Sequence, residues 1–476
     1  MKTILSILSF VISLQLFSQN NFIQIEVNKT IGLFNFLETS SGQTGTSSSF
    51  RKYIIDSYKS DEKFVKIVNS YSSLNLDYSI KRQEFPDKRS SNTTTKDLLW
   101  IAASNSDNIN GFSERIIGFL PHQTHTELIN LLEEVEVYYD ELIWNNEQKN
   151  IERIKNQLTI YTPKIEELYF TISKFYNTEW SEKIPFKIIL YPIPLKNGHT
   201  TAIPKGNALI CSFLSHREND YLSRVGIIIH EMCHILYKSQ SSYFQQKINN
   251  WFENSDSPYS FLAYSFINEG LATALGNGWA HNQIHNKIDP GNWYNNKYID
   301  GFAHALFPLA EDYLAKGKSI DENFIHTSIE LFKQKFPKAI DETAILMNRL
   351  HLFANTEKES EANQITNTIH NYFNIRLMNF SSSIISSQSD EALLKKETTK
   401  LIIVDSNRQK TIKKLQEIFS QLKTQPALNT IKTFKDYNSK STIVIINIDN
   451  LDKLDNAYKT LSNIQYLESN KDYKII

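Results

Sequence analysis

The segment 225–234 constrains this chain more than any other part of its sequence. It reads Val-Gly-Ile-Ile-Ile-His-Glu-Met-Cys-His and continues into further hydrophobic residues. This apolar pattern predicts a largely buried helix, on which His230 and His234 lie one turn apart on the same face. Burying two histidines and Glu231 without partners would be costly, and a bound metal ion removes that cost. The segment therefore predicts a metal-binding helix inside a folded domain.

The spacing of the two histidines is suited to zinc. Imidazole nitrogens at positions i and i+4 can approach one ion to about 2.1 Å each, and Glu231 lies beside that ion, where its carboxylate can take a proton from zinc-bound water. A catalytic zinc site needs a third protein ligand and one open position. The metzincin arrangement would place glycine at 237 and histidine at 240, but the chain has Tyr237 and Gln240, so that arrangement is excluded.

A second helix-forming segment supplies a candidate for the third ligand. Residues 268–272 read Asn-Glu-Gly-Leu-Ala, and Glu269 lies 35 positions after His234. Together the two motifs resemble those of the gluzincin metallopeptidases, in which a glutamate on a downstream helix completes the zinc site. The resemblance implies that Glu269 is the third ligand. The residues alone leave three alternatives open, namely His281, His285 and Asp289.

The resemblance also implies a donor that stabilises the oxyanion formed during hydrolysis. Gluzincins use a tyrosine or a histidine for this purpose, and Tyr298 and His304 are the two candidates at the start of the next predicted helix. Asp300 and His304 are four residues apart, so they are expected to pair on one helix face. The similarity extends over about residues 186–335.

Several features depart from the family pattern or refine it. Thr273 stands where thermolysin-like members have an aspartate that orients a zinc histidine, so the partner of that histidine is not predicted. The Gly-x-Met-Glu-Asn motif of gluzincin aminopeptidases is absent, which favours an endopeptidase. Zincin folds bind extended substrate along an edge strand, and residues 207–210, Asn-Ala-Leu-Ile, are expected to begin that strand.

The rest of the chain predicts an α+β protein with a zincin-like catalytic domain between two other regions. Residues 19–184 are expected to be mostly helical and residues 185–380 to form the catalytic domain. Residues 381–398, which begin with a serine-rich stretch, are expected to be a linker. Residues 399–476 show the order βαββαβ, which predicts a small α/β sandwich whose last strand lies near 464–467.

Residues 1–18 have the pattern of a signal peptide, with a basic start, an apolar core and a small residue before the cut. The core is shorter than the ~20 residues that a membrane-spanning helix needs, and no later segment reaches that length without charges. The sequence therefore predicts a secreted or periplasmic protein without a transmembrane segment. Export would permit a bridge between Cys211 and Cys233, but two buried free thiols are favoured.

The balance of positive and negative charges disfavours one class of function. Lys and Arg total 51 and Asp and Glu total 52, which gives a net charge of −1 and disfavours a dedicated nucleic-acid binder. The leading hypothesis is a metallopeptidase with one catalytic Zn²⁺ and a peptide or protein substrate. Two alternatives are a secreted binding or surface-interaction protein with a structural zinc site, and a metallohydrolase that acts on a non-peptide amide.

Overall fold

The computed structural model describes residues 22–43, 45–87, 89, 91–196, 201–215, 221–356, 358–395 and 399–475. The predicted signal peptide, residues 1–18, lies outside these ranges. Within them the chain has a mixed α+β fold that is mostly helical with several sheets, as the sequence predicted at this coarse level. None of the described helices is long and apolar enough to cross a bilayer.

The secondary structure alternates long helical stretches with short strands. The strands are β1 Ile23–Val27, β2 Ser79–Lys81, β3 Asn92–Thr94, β4 Phe186–Ile193, β5 Thr201–Lys205, β6 Ala208–Leu214, β7 Arg349–Phe353, β8 Leu377–Ser381, β9 Thr399–Val404, β10 Thr430–Asp436, β11 Ser441–Asn447 and β12 Lys471–Lys474. The α-helices are Lys29–Ser40, Ser48–Tyr58, Glu62–Ser73, Thr95–Ser104, Ile109–Arg115, His122–Tyr139, Asn145–Thr159, Thr162–Phe175, Tyr221–Ser239, Ser242–Glu253, Ser260–Thr273, His281–His285, Lys297–Ala315, Glu322–Lys335, Thr343–Asn348, Glu359–His370, Ser387–Leu394, Arg408–Ile418 and Leu454–Ser462. Wider π-helical turns span Asp140–Trp144 and Ala274–Ala280, and 3₁₀ turns span Ala339–Asp341 and Leu451–Lys453.

The chain divides into two compact units, and their boundaries differ from the predicted domains. The first unit comprises the described parts of Met1–Asn254 with Phe266–Thr327, and the second comprises Ser255–Ser265 with the described parts of Ser328–Ile476. The helical N-terminal region therefore belongs to the same unit as the His-Glu-x-x-His helix. The reason is that β1, at the start of that region, pairs in parallel with β4 and is part of the same sheet.

The sheet of the first unit has the strand order β1-β4-β6-β5. Strands β1, β4 and β6 are parallel, and β5 runs antiparallel to β6 at the edge. The predicted edge strand, residues 207–210, is therefore wrong, because β6 is an interior strand and β5 is the edge. Strand β5 contains Pro204, and a proline is tolerated in a strand when that strand lies at a sheet edge.

Helices cover both faces of this sheet. Ile189 and Ile210 on one face belong to a large hydrophobic core built with the N-terminal helices, including Phe34, Phe64 and Leu132. Because side chains alternate along a strand, Cys211 points to the opposite face. Helix Tyr221–Ser239 packs against β5 and β6. The sheet thus provides a rigid support for the predicted metal-binding helix.

The second unit is built on a six-stranded sheet with the order β12-β10-β11-β9-β7-β8. Its last four strands and two helices have the predicted order βαββαβ, although the final strand is Lys471–Lys474 rather than residues 464–467. Strands β7 and β8 lie almost wholly within residues 185–380, which the sequence assigned to the catalytic domain. They belong instead to the second unit and extend its sheet by parallel pairing with β9 and with each other. The predicted linker instead contains helix Ser387–Leu394, whose N-cap is Ser386.

Candidate metal centre

The structure brings together His230, His234 and Glu269, and we call these three residues the His-His-Glu cluster. The Nε2 atoms of the two histidines are 3.3 Å apart. Oε2 of Glu269 lies 3.8 Å from Nε2 of His230 and 3.5 Å from Nε2 of His234. Ligands around a tetrahedral zinc ion with bonds of about 2.0–2.2 Å are separated by about 3.3–3.6 Å. The cluster therefore has nearly the dimensions needed to hold a metal ion of this kind.

Two crossing helical segments position the cluster. Both histidines lie on helix Tyr221–Ser239, and Glu269 lies on helix Ser260–Thr273, which continues into the π-helical turn Ala274–Ala280. A Cβ atom at Gly276 would lie only 2.7 Å from N, Cα and Cβ of His230, so no larger residue fits there without displacement. Glycine at this position allows the helix with the third ligand to approach the helix with the first two.

Burial and charge set the protonation of the two histidines. Both residues are 8% exposed. Burial and, after it, the neighbouring charge of His234 lower the pKa of His230 to about 4, against the opposing effects of Glu269 and the Ala272 backbone. Burial also disfavours the charged form of His234, but the hydrogen bond and charge of Glu269 raise its pKa overall. Neutral imidazole is the form that binds metals, so metal binding competes with protonation of His234.

Glu231 lies next to the cluster in sequence but is not one of its three donor groups. Burial, with the charge of Glu269, raises the pKa of its carboxyl to about 7, against the opposing effect of His234. The side chain is only partly buried. A cation held by the cluster would favour the ionised form of Glu231, which is the form that can accept a proton.

The residue that orients His234 was not predicted from the sequence. Nδ1 of His234 lies 3.1 Å from Oδ1 of Asn268, so Nδ1–H can donate to the amide oxygen and leave Nε2 free to bind a metal. Asn268 is therefore a partner of His234 that the sequence left unidentified. Its position next to Glu269 carries no periodic signal that would have identified this role.

We expect Asn268→Leu to weaken metal binding by about 10- to 100-fold, because the hydrogen bond that orients His234 would be lost. Asn268→Asp keeps an acceptor at the same position and should retain most of the affinity. Zinc titration with a competing chelator measures both variants. Equal zinc affinity of Asn268→Leu and the wild-type protein would show that this hydrogen bond does not orient the ligand.

The alternative third ligands lie in other surroundings. His281 and His285 stack on each other with ring centroids 4.2 Å apart, and Nδ1 of His281 lies 3.0 Å from the carbonyl oxygen of Lys287. The carboxylate of Asp289 accepts a hydrogen bond from the backbone N–H of Gly291. Within the described ranges, Glu269 is the residue that joins His230 and His234 in a group able to hold a metal ion.

The two predicted oxyanion donors lie on helix Lys297–Ala315. The ring of Tyr298 packs on Phe266 with centroids 5.7 Å apart. The ring of His304 stacks on Trp293 at 3.8 Å, and its Nε2 lies 3.7 Å from Oδ1 of Asp300, which is the expected i,i+4 pair. These contacts fix both side chains, and their role as oxyanion donors stays a prediction.

Asp300 also binds the backbone of residues 293–294, which the sequence did not identify as part of the site. Its carboxylate accepts hydrogen bonds from the backbone N–H groups of Trp293 and Tyr294, at 2.6 and 3.2 Å. The ring of Tyr294 lies nearly parallel to that of His230, with centroids 6.3 Å apart. Tyr294 stands in a glycine- and asparagine-rich stretch without periodicity, so no sequence signal pointed to it.

Both cysteines are buried free thiols. Cys211 lies on β6, and Cys233 lies on helix Tyr221–Ser239. Burial raises the pKa of Cys211 and of Cys233, and the charge of Glu231 raises both further. They therefore remain protonated and pack as small apolar side chains.

The donor set consists of two histidines and one carboxylate, which could hold a metal ion, with a second carboxylate beside them. No known protein family, curated protein or solved structure matches this chain. The chemistry of the His-His-Glu cluster is therefore the basis for the function that we propose.

Proposed function

We propose that this protein is an exported zinc metallopeptidase of the gluzincin type, acting as an endopeptidase. The observation that carries the proposal is the convergence of His230, His234 and Glu269, with Glu231 beside them. Nitrogen and oxygen donors in this combination favour zinc over the hard cations calcium and magnesium, which prefer oxygen alone. Export rests on the signal pattern in residues 1–18.

The residues around the cluster have distinct roles in the proposed reaction. Zinc, when bound, supplies Lewis-acid activation of water and of the scissile carbonyl. Glu231 accepts a proton from the attacking water and later delivers it to the leaving amine. Asn268 holds the imidazole of His234 with Nε2 towards the cluster. A structural metal site would have no use for the carboxylate of Glu231, so its presence favours catalysis over a purely structural role.

The edge strand β5 is the proposed binding site for the substrate backbone. It is the outer strand of the sheet, and helix Tyr221–Ser239 packs against it. Unpaired main-chain groups of an edge strand can pair with an extended peptide. Donors to the oxyanion would come from Tyr298 or His304, and Tyr294 is a third candidate because its ring lies beside His230.

Removal of the metal is expected to abolish cleavage. The full chain, exposed to a chelator and dialysed, should cut none of a broad library of peptides, and one equivalent of zinc should restore activity. Liquid chromatography with mass spectrometry detects new termini and distinguishes internal cleavage from trimming. Bound zinc without cleavage of any peptide would favour the secreted binding protein. Cleavage confined to non-peptide amides would favour the other metallohydrolase.

A further inference from the structure

The second unit contains a cavity of about 440 Å³ that the proposed peptidase activity does not use. All of its lining residues belong to this unit. They come from the ends of β7, β9, β10 and β11 and from the segments around residues 256–262 and 340–346. A volume of this size lies within the range of about 300–1,000 Å³ that is typical of small-molecule sites.

Most of the cavity wall is apolar. Phe261, Leu262, Ile345 and Leu346 contribute hydrophobic side chains. Leu262 and Leu346 are largely buried, at 7% and 9% exposure. Burial of hydrocarbon against such a wall would supply most of the binding free energy of a ligand, and a few polar groups would fix its orientation.

Arg349, at the start of β7, is the cation in this wall for which the described part of the chain provides no carboxylate partner. Its guanidinium donates to Oγ of Ser265 at 3.1 Å and lies over the ring of Phe261, 5.7 Å from the centroid. Its Nε is buried without a hydrogen bond. Burial and the nearby Arg376 lower the pKa of Arg349. Within the described ranges, no carboxylate forms an ion pair with it, and a half-buried cation in this state is costly.

The other charged groups of the cavity already have partners. Lys435 pairs with Asp341 at 2.6 Å, and Lys440 lies 4.0 Å from Asp256. The carboxylate of Asp436 accepts hydrogen bonds from the backbone N–H and the hydroxyl of Ser439. Among the cations that line the cavity, Arg349 is therefore the one that an anionic ligand would neutralise.

We propose that this cavity binds a carboxylate carried on an apolar body, with Arg349 as the group that recognises the carboxylate. Guanidinium and carboxylate form strong charge-assisted hydrogen bonds, and the hydrophobic wall accommodates the rest of the ligand. Two sources share this chemistry, a free medium-chain carboxylate and the C-terminal residue of an apolar peptide. The site does not depend on the metal centre, and the proposal stands apart from the peptidase activity.

Calorimetric titration of the full wild-type chain with matched acid and amide ligands tests the proposal. The probes are decanoate with decanamide, and acetyl-Leu-Leu with its C-terminal amide. We expect at least one acid to bind about tenfold or more tightly than its amide, and the acid that does so identifies the source. Equal binding of acid and amide in both pairs, or no binding of either acid at millimolar concentration, would overturn the proposal.

Variants then assign the effect to one residue. Arg349→Gln should reduce the affinity for the acid to that for the amide, and Arg349→Lys should retain an intermediate affinity. Arg115→Gln is the matched control, because Arg115 is an exposed arginine at the end of helix Ile109–Arg115 in the first unit and does not line the cavity. Its affinity should stay within about twofold of wild type. If Arg349→Gln binds the acid with the wild-type affinity, Arg349 does not recognise the carboxylate. If this variant fails to fold, the comparison of acid with amide in the wild-type chain still tests the proposal.

Discussion

Glu231→Gln is expected to lower the rate of peptide cleavage by about 10²- to 10⁴-fold while the protein keeps its fold and its zinc. Glutamine has nearly the size and shape of glutamate but cannot accept the proton of the attacking water. Because Glu231 is not one of the three donors of the His-His-Glu cluster, its replacement leaves the ligand set intact. The measurements are the turnover of a peptide found in the library digest and the zinc content of the same preparation.

Glu330→Gln is the matched control for this experiment. Glu330 is exposed, and its partner is Lys333 at 3.1 Å on the same helix, so its replacement should leave turnover and zinc content unchanged. If Glu231→Gln cleaves the peptide as fast as wild type, Glu231 is not the general base, and the proposed mechanism is wrong even if zinc is bound.

Gly276→Ala is expected to have the largest effect on stability among substitutions near the metal centre. The added Cβ would lie 2.7 Å from N, Cα and Cβ of His230, and none of these atoms can rotate away. The two helical segments must therefore separate, at a cost of about 1–3 kcal/mol in the free energy of unfolding. The same separation moves Glu269 away from the histidines, so zinc affinity should fall by about tenfold or more.

Gly111→Ala provides the control for the loss of a helical glycine. Its added Cβ would meet only Oδ1 of Asn108, at an ordinary contact distance of 3.6 Å. Alanine is favoured over glycine in a helix by about 1 kcal/mol, so this variant should be as stable as wild type or slightly more stable. Thermal unfolding and zinc titration compare the two variants. Matching curves for Gly276→Ala and Gly111→Ala would contradict the close helix crossing at His230.

The sequence predicted the part of the metal centre that lies within one helix. The i,i+4 relation of His230 and His234 follows from helical periodicity, and Glu269 was inferred from the resemblance of its motif. The roles of Asn268, Tyr294 and Gly276 depend on contacts with the histidines, which lie on a different segment of the chain. Contacts of this kind depend on how helices cross, which no periodic pattern within one segment encodes.

Elements with a clear local pattern were predicted from the sequence, and elements that depend on tertiary contacts were not. The first five elements of the order βαββαβ were found because β9, β10 and β11 contain apolar residues and the two helices are amphipathic. The last strand was predicted too early in the chain, because Lys471–Lys474 carries no apolar pattern. Strands β7 and β8 were missed because they are short segments between helices, and their parallel pairing is set by tertiary contacts. The serines around Ser386 indicated a linker, but they cap and begin a helix instead.

Zinc content after dialysis tests most directly whether the His-His-Glu cluster is the metal centre. We expect the wild-type chain to retain about one zinc ion, Glu269→Ala to lose most of it, and His285→Ala to retain it, because the stacked His281–His285 pair lies outside the cluster. Inductively coupled plasma mass spectrometry on protein of known concentration gives the ratio. A wild-type chain without zinc, or full zinc retention by Glu269→Ala with loss in His285→Ala, would contradict this account.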